Sequence, residues 1–497
     1  MDELMFHEDK ILRKTQSLCP ECLKVIDATL CLKEEKVIMK KECKEHGVFR
    51  DLYWSDYTLY EKAKSFQIDG DALENSQTSR ERGCPYDCGL CNEHKTQSIL
   101  ANIDLTNRCN LKCPVCFANA ENERHIYEPS FSRVVEMLLN LRNQKPHPCE
   151  AIQFSGGEPT LRDDLEELIR TAKKLGFKHI LLATNGIRLA KSKVFCKKLR
   201  EAGLATLYLQ FDGITDDVYR RLRGANLLKV KKRVIENCKN PQTPNVTLVP
   251  TLLKGVNDNQ VGDIVRFASK NNRVVKSVNF QPISFSGRVE FGELENSRIT
   301  IPDFLKLLEE QTNGEILQED FYPIPSVIPF SHFVEALKNS KELEFTCHFL
   351  CGAATYVFVE KEKMIPITRF IDVEGILEFL EDISKREIKT KLDRIRAISE
   401  TIRELRRCYD KKEAPSSVNV EKMFVKIIRG GGGGTLSEFH KNTLLVGCMH
   451  FMDRYNFDLE RVRRCCIHYA LPDGRIVPFY SYNTIHRKKF EKDWYFK

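Results

Sequence analysis

The chain has 497 residues, roughly two to four domains' worth, with 42% hydrophobic and 30% charged residues, a balance ordinary for a folded protein with sizeable cores. Nothing approaches the roughly 18 consecutive apolar residues of a membrane span, and the polar start MDELMFHEDKILRK is no signal peptide, so a cytoplasmic protein is expected. The net charge of +8 is modest for this length and suits a solvated surface better than a nucleic-acid partner.

Nineteen cysteines are many for a reducing compartment, where clustered thiols favour metal binding or catalysis over disulfides. Residues 1–60 carry Cys19-x2-Cys22 and Cys43-x2-His46, with an alternating KVIMK pattern between the two knuckles. These four ligands complete a ribbon for one structural Zn²⁺, or for one iron in a rubredoxin-like site. Residues 61–98 form a linker bearing Cys84-x3-Cys88-x2-Cys91, with His94 close behind. The same spacing recurs at Cys109-x3-Cys113-x2-Cys116. Three thiols do not close a tetrahedral zinc site, but they suit a cubane iron–sulfur cluster with one iron left open. Pro85, Gly89 and Pro114 suit loops that wrap such a core.

Residues 99–300 alternate strands and helices. Strands are expected at 99–106, 150–156, 179–186, 206–213, 245–253 and 275–283, and helices at 131–144 and from Asp163 onward. Short apolar strands separated by helices argue for a parallel sheet closed or partly closed into a barrel, a partial (β/α)6 version of the TIM fold. In such barrels chemistry gathers at the C-terminal ends of the strands. Cys109–Cys116, the Gly156-Gly157-Glu158 turn, Thr184-Asn185 and Gln210-x-Asp212 all share that address.

Residues 301–497 read as a C-terminal cluster domain. Cys347-x3-Cys351, Cys448, Cys465 and Cys466 complete clusters begun elsewhere, hold another one, or are buried structural thiols. Helices are expected at FLKLLEEQ and KLDRIRAISETIRELRRCYDKKE. Cys31, Cys149, Cys196, Cys238 and Cys408 fit no spacing and read as buried structural thiols.

Cys109-x3-Cys113-x2-Cys116 after the first barrel strand, with Gly156-Gly157-Glu158-Pro159 after the second, resembles the radical S-adenosylmethionine (SAM) superfamily. The resemblance implies a [4Fe–4S] cluster on Cys109, Cys113 and Cys116 whose open iron is chelated by the amino and carboxylate groups of SAM. It implies a reductant such as a ferredoxin, whose electron cleaves SAM to methionine and a 5′-deoxyadenosyl radical. It also implies SAM contacts from Gly156, Gly157, Glu158, Thr184, Asn185, Gln210 and Asp212. Phe117 either covers adenine or packs in the core.

Outside the barrel, CPECLK, GCPYDCGLC, FYPIPSVIPF, FTCHFLCGAATYVF and GCMHFMDRYNFDLERVRRCCIHYALPDGRIVPF resemble archaeal tetraether lipid synthases, whose close relatives have been assigned to methylation of a pterin precursor. The similarity runs over residues 15–485. It implies joining of the terminal methyl carbons of two archaeal diether lipids, with auxiliary clusters on Cys84, Cys88 and Cys91 and on Cys347, Cys351, Cys448 and Cys465. Peripheral membrane contact follows from a lipid substrate. Methylation of 7,8-dihydro-6-hydroxymethylpterin is the alternative. A non-enzymatic cluster protein or electron relay is a distant third, since a relay has no need to hold SAM.

A lipid substrate predicts an apolar tunnel. The segment DFYPIPSVIPFSHFVEAL (320–337) would line its entrance or simply pack the barrel against the C-terminal domain. The basic run KVKKRVIENCKN (229–240) would meet anionic headgroups or form a solvated helix face. Two departures stand out. Tyr480 follows GRIVPF where the family commonly has a cysteine, leaving Cys466 to substitute. Arg429 leads into five glycines (430–434) followed by Thr435-Leu-Ser, not the Gly-Lys-Ser/Thr of a phosphate-binding loop.

Overall fold

The structure, a computed structural model, describes residues 10–120, 126–289, 297–416 and 443–493; the glycine run at 430–434 lies outside them. Four antiparallel strands open the chain in sequential order: β1 (Lys10–Leu18), β2 (Val25–Lys33), β3 (Lys36–Cys43) and β4 (Gly47–Trp54). Alternate residues of β3 (Val37, Met39, Lys41 and Cys43) point inward, the period of two that makes one face a core and the other a surface. The turns at one end of this sheet carry both knuckles.

The second sheet takes its centre from the strands expected in sequence. They are β5 (Leu100–Thr106), β6 (Ala151–Gly156), β7 (His179–Thr184), β8 (Thr206–Gln210), β9 (Asn245–Val249), the short β10 (Thr251–Leu252) and β11 (Val275–Pro282). From β5 to β9 each pairs in parallel with the next, and β11 pairs with both β9 and β10. Helices Phe131–Arg142, Leu165–Lys174, Lys193–Ala202, Leu228–Asn237 and Val261–Lys270 alternate with them. The first begins where the Ser130 hydroxyl accepts the Arg133 N–H, and it buries Val134, Met137, Leu138 and Leu141 along one face, the spacing of an amphipathic helix.

The parallel set does not stop at residue 300. β15 (Thr443–Met449) pairs in parallel with β11, and β16 (Ile467–Ala470) pairs in parallel with β5. The C-terminal segment therefore adds one parallel strand to each edge of the six-stranded unit. Antiparallel strands then cover those edges: β13 (Gly352–Glu360) on β15, flanked by β12 (Tyr322–Pro323) and β14 (Lys363–Pro366), and β17 (Ile476–Pro478) on β16. Covering edges in this way removes unpaired N–H and C=O groups from solvent. Helices Ile328–Lys338, Val373–Ser384 and Lys391–Arg407 share a separate small core containing Phe333, Leu337, Phe370, Leu380 and Ile383. Phe330, Phe333 and Leu337 of the proline-rich segment 320–337 belong to that core, while Phe321 packs in the barrel core.

The N-terminal sheet is held against the C-terminal segment by buried charge. Arg298, 7% exposed, bonds Asp51 of β4 at 2.7 and 3.1 Å and Asp453 at 3.0 and 3.1 Å. Asp458 accepts from Tyr53 (2.7 Å), Thr15 (2.8 Å) and Arg13. Removing one member of a buried ion network leaves its partner charged and dry, a loss of about 3–5 kcal/mol. Arg298→Met is expected to lower unfolding stability by about that amount in chemical denaturation. A loss below about 1 kcal/mol would mean that hydrophobic packing alone docks the two sheets.

Candidate active site and metal centres

The C-terminal ends of the parallel strands surround a cavity of about 670 Å³, within the range of roughly 300–1,000 Å³ typical of small-molecule sites. Cys109, Cys113 and Cys116 line its rim on the loop after β5, together with Gly156 and Gly157 after β6 and Thr184 and Asn185 after β7. Gln210 at the end of β8 and Phe117 complete this side.

The two glycines are required by the loop that carries the thiols. A Cβ on Gly157 would lie 2.3 Å from the Arg108 carbonyl oxygen, and one on Gly156 would lie 2.3 Å from that of Thr106. Gly156 also has φ = +120°, a left-handed-side backbone that glycine adopts without steric cost. The close approach lets Gly157 N–H donate to Thr106 (2.6 Å) and Glu158 N–H donate to Arg108 (2.8 Å). Backbone hydrogen bonds thus anchor the stretch immediately before Cys109 to the end of β6.

Glu158 is fully buried and does not line the cavity. Its carboxylate accepts from the Thr160 hydroxyl (2.6 Å), the Thr184 hydroxyl (2.8 Å) and the Asn185 N–H (2.8 Å). It acts by positioning Asn185, whose amide reaches Asn110 Oδ1 at 2.6 Å and Cys109 Sγ at 4.0 Å. Asp212 is likewise buried away from the cavity, held by both arms of Arg223 at 2.7 and 2.8 Å. Arg223 in turn donates to the Val115 carbonyl (2.8 Å) and the Thr251 hydroxyl (2.8 Å), so this pair braces the thiol loop against β10. Gln210 joins the same network through Asp212 and Lys231.

Sequence reasoning missed Arg223 and Lys231. Lys231 sits in the basic run expected to face solvent, yet it is fully buried and donates to the Asn185 carbonyl (2.5 Å) and to Gln210 (3.0 Å). Burial pulls its ammonium down to about 7, since the charged form loses its hydration. The only available sequence signal was its place among the inward positions of helix Leu228–Asn237, beside Val234 and Ile235. Arg288 also closes the loop, through its N–H to the Cys116 carbonyl (2.9 Å) and its guanidinium to the Cys113 carbonyl (3.0 Å). Phe117 is 43% exposed, with its ring 5.9 Å from Phe479 and the Arg487 guanidinium 5.7 Å from its centre.

Deeper in the barrel the lining combines apolar side chains with hydrogen-bonding ones: Asn102, Gln153, Tyr208, Asn279 and Gln281. Gln153 donates to Asn102 at 2.9 Å while its own Oε1 has no partner. From the segment 320–337 only Ile324 reaches the cavity among the described residues. The lining is nonetheless mainly apolar.

In the N-terminal sheet, Cys19, Cys22, Cys43 and His46 bring their ligand atoms within 4.8 Å of one another. Cys43 Sγ lies 3.4 Å and Cys19 Sγ 3.6 Å from His46 Nδ1, with 4.0 Å between the Cys22 and Cys43 sulfurs. A tetrahedron with Zn–S bonds of about 2.3 Å has edges of about 3.8 Å, so this set fits a single ion. Cys84, Cys88 and Cys91 line a separate small pocket with His94. In the C-terminal segment Cys347, Cys351, Cys465 and Cys466 are neighbours. Cys448 of β15, 1% exposed, borders the cavity beside Leu445, Gly447 and Met449 and packs in the apolar core. Cys465 donates its thiol to the Ile467 carbonyl at 3.0 Å.

A parallel α/β barrel that presents three thiols and a Gly-Gly turn to one cavity is the arrangement of the radical SAM enzymes. The chain belongs to the radical SAM superfamily: the superfamily model matches residues 103–268, and that of the HMPTM N-terminal zinc ribbon domain matches residues 11–55. A 7,8-dihydro-6-hydroxymethylpterin dimethyltransferase of Methanocaldococcus jannaschii is 53% identical over 97% of this chain and 95% of its own length. A probable GTP 3′,8-cyclase of Methanococcus aeolicus is 25% identical over 60% of this chain and 95% of its own. Among solved structures, Streptococcus suis SuiB bound to S-adenosylmethionine is 18% identical, with a TM-score of 0.34 over 44% of this chain and 48% of its own. The first of these relatives overturns the expected reading as a tetraether lipid synthase, since a match over nearly the whole of both chains carries a pterin methylation name. No helix among the described residues is long and apolar enough to cross a membrane.

Gly157→Ala is expected to displace the 106–108 backbone and abolish iron binding at Cys109–Cys116 while leaving the fold intact, as read by iron content and visible absorption after anaerobic reconstitution. Cys43→Ala should remove one metal ion per chain and lower the melting temperature, without changing iron bound in the barrel.

Proposed function

We propose that this protein is a SAM-dependent radical methyltransferase acting on 7,8-dihydro-6-hydroxymethylpterin or a close pterin. The observation that carries the reading is the 53% identity with the pterin dimethyltransferase across 97% of the chain. The cavity supports it. A pterin is a flat heterocycle edged by alternating donors and acceptors, and Asn102, Gln153, Asn279 and Gln281 offer amide groups of both kinds from facing strands. The unpartnered Gln153 Oε1 is an acceptor awaiting a donor, because a buried polar atom left unpaired costs about 1–3 kcal/mol.

Cys109, Cys113 and Cys116 fit a [4Fe–4S] cluster. They line one rim, and their loop is fixed by Arg223 and Arg288. When bound, that cluster supplies the electron that opens SAM to radical chemistry at carbons with no acidic proton. The chain's own residues bind and orient: Gly156 and Gly157 bring the β6 backbone against the thiol loop, Asn185 stands over Cys109, and Lys231 holds the Asn185 carbonyl from behind. The surrounding strands exclude bulk water, which would otherwise quench a reactive carbon centre.

The test is anaerobic incubation of the reconstituted protein with a strong reductant, methyl-labelled SAM and the pterin, followed by mass spectrometry. The expected outcome is a pterin carrying one or two additional methyl groups, absent with Cys109→Ala. Formation of 5′-deoxyadenosine with the pterin unchanged would overturn the substrate assignment. Gln153→Leu is expected to raise KM for the pterin about tenfold, with little change in SAM cleavage without substrate.

A further inference from the structure

Within the mainly apolar wall of the barrel cavity, β5 and β6 carry a short polar ladder. Parallel register sets Asn102 opposite Gln153 and Asp104 opposite Ser155. Residues two apart on a strand share a face, and all four of these line the cavity. A hydrogen bond closes each rung. Gln153 Nε2 donates to Asn102 Oδ1 at 2.9 Å, and the Ser155 hydroxyl donates to Asp104 Oδ1 at 2.7 Å.

Asp104 is buried, and among the described residues it is the only carboxylate on the cavity wall. Arg487, at the start of helix Arg487–Asp493, donates to its Oδ2 at 2.8 Å. Asn483 (2.9 Å), Glu491 (3.0 Å) and the Tyr469 hydroxyl (3.2 Å) hold that guanidinium in turn. One partner from β6 and one from the C-terminal helix therefore fix how the carboxylate is turned. An ionised carboxylate has about four acceptor sites, and these two contacts leave the others open towards the cavity.

Gln153 supplies an independent observation. Its Oε1, one rung away, is buried without a partner. Buried acceptors are unfavourable until a donor reaches them, and on this face the donor has to come from the cavity. The wall beside the ladder is aromatic. Tyr469 and Phe479 stack with ring centres 5.6 Å apart, and Phe451 and Phe479 with centres 4.6 Å apart, all three lining the cavity. Flat faces next to a row of acceptors suit a planar ring whose edge carries adjacent N–H donors.

We propose that Asp104 determines substrate specificity by accepting the N3–H and the 2-amino N–H of a pterin's aminopyrimidinone edge. Arg487 is the positioning residue that orients the carboxylate. Its Nη2 carries two N–H groups for one partner among the described residues, Tyr469, which leaves a donor for the adjacent 4-oxo group. Paired bonds to an ionised acceptor are strong and directional. A ring with oxygen in place of the 2-amino group would set acceptor against acceptor, the kind of mismatch that a polar site rejects most strongly. The assignment rests on the pterin reading of the same cavity.

The test is anaerobic equilibrium dialysis of the full reconstituted chain with three ligands. They are 7,8-dihydro-6-hydroxymethylpterin, its 2-oxo analogue (the corresponding dihydrolumazine) and SAM. The unaltered chain is expected to bind the pterin at least about tenfold more tightly than the 2-oxo analogue. Asp104→Asn, whose amide donates to a 2-oxo group, is expected to lose about 10- to 100-fold for the pterin and to reverse the preference. Equal weakening of both rings in Asp104→Asn would reveal a merely structural role and overturn the assignment. A fall in SAM affinity with pterin affinity kept would place Asp104 at the cosubstrate and overturn it as well. Should the variant fail to fold, equal affinity of the unaltered chain for both rings would suffice to overturn it. Failure of the unaltered chain to bind either ring would remove the pterin reading and this assignment together, whereas pterin binding indifferent to Asp104→Asn would remove the assignment alone.

Discussion

The close approach of the Gly156-Gly157 backbone to residues 106–108 is the constraint on which the site depends. Parallel pairing of β5 with β6 places their C-terminal ends side by side, but a side chain at either glycine would force the two loops apart. With none there, two short hydrogen bonds join the loops, and Cys109 begins at a fixed distance from Thr184 and Asn185. Glu158 extends this order to a third strand by accepting from Thr160, Thr184 and Asn185 together. A carboxylate that is fully buried persists only when its oxygens are satisfied in this manner. The Gly-Gly-Glu pattern is thereby explained by mechanics between loops, before any cosubstrate is considered.

A second layer of organisation joins the ends of the chain. The N-terminal ribbon and the C-terminal segment meet through Arg298, Asp51 and Asp453, and again around Asp458. The C-terminal segment also supplies both outer parallel strands of the barrel sheet. Met449 from β15 and Tyr469 from β16 consequently line the same cavity as the cysteine loop. Substrate-facing surface is thus drawn from segments more than three hundred residues apart in sequence.

Much of the barrel was legible beforehand. Each central strand is a short apolar run ending at a glycine, proline or polar turn, and the observed limits of β5 to β11 fall within or beside the expected ranges. The ribbon was legible because its four ligands sit in two tight knuckles separated by a hairpin. The roles of Asp212 and the basic run 229–240 were not. Asp212 ends in a buried pair with Arg223, and Lys231 turns inward beneath Asn185. Neither outcome is visible without knowing which helix face rests on the sheet.

The cysteine spacings and the Gly-Gly-Glu turn are local, and the sequence by itself determined the superfamily and the N-terminal metal ribbon. Only the tertiary structure decided where the later cysteines lie. Cys466 comes beside Cys347 and Cys448 packs in the apolar core, where β16 pairs with β5 and β15 with β11. Those pairing partners lie far away in sequence, so no local spacing reports them.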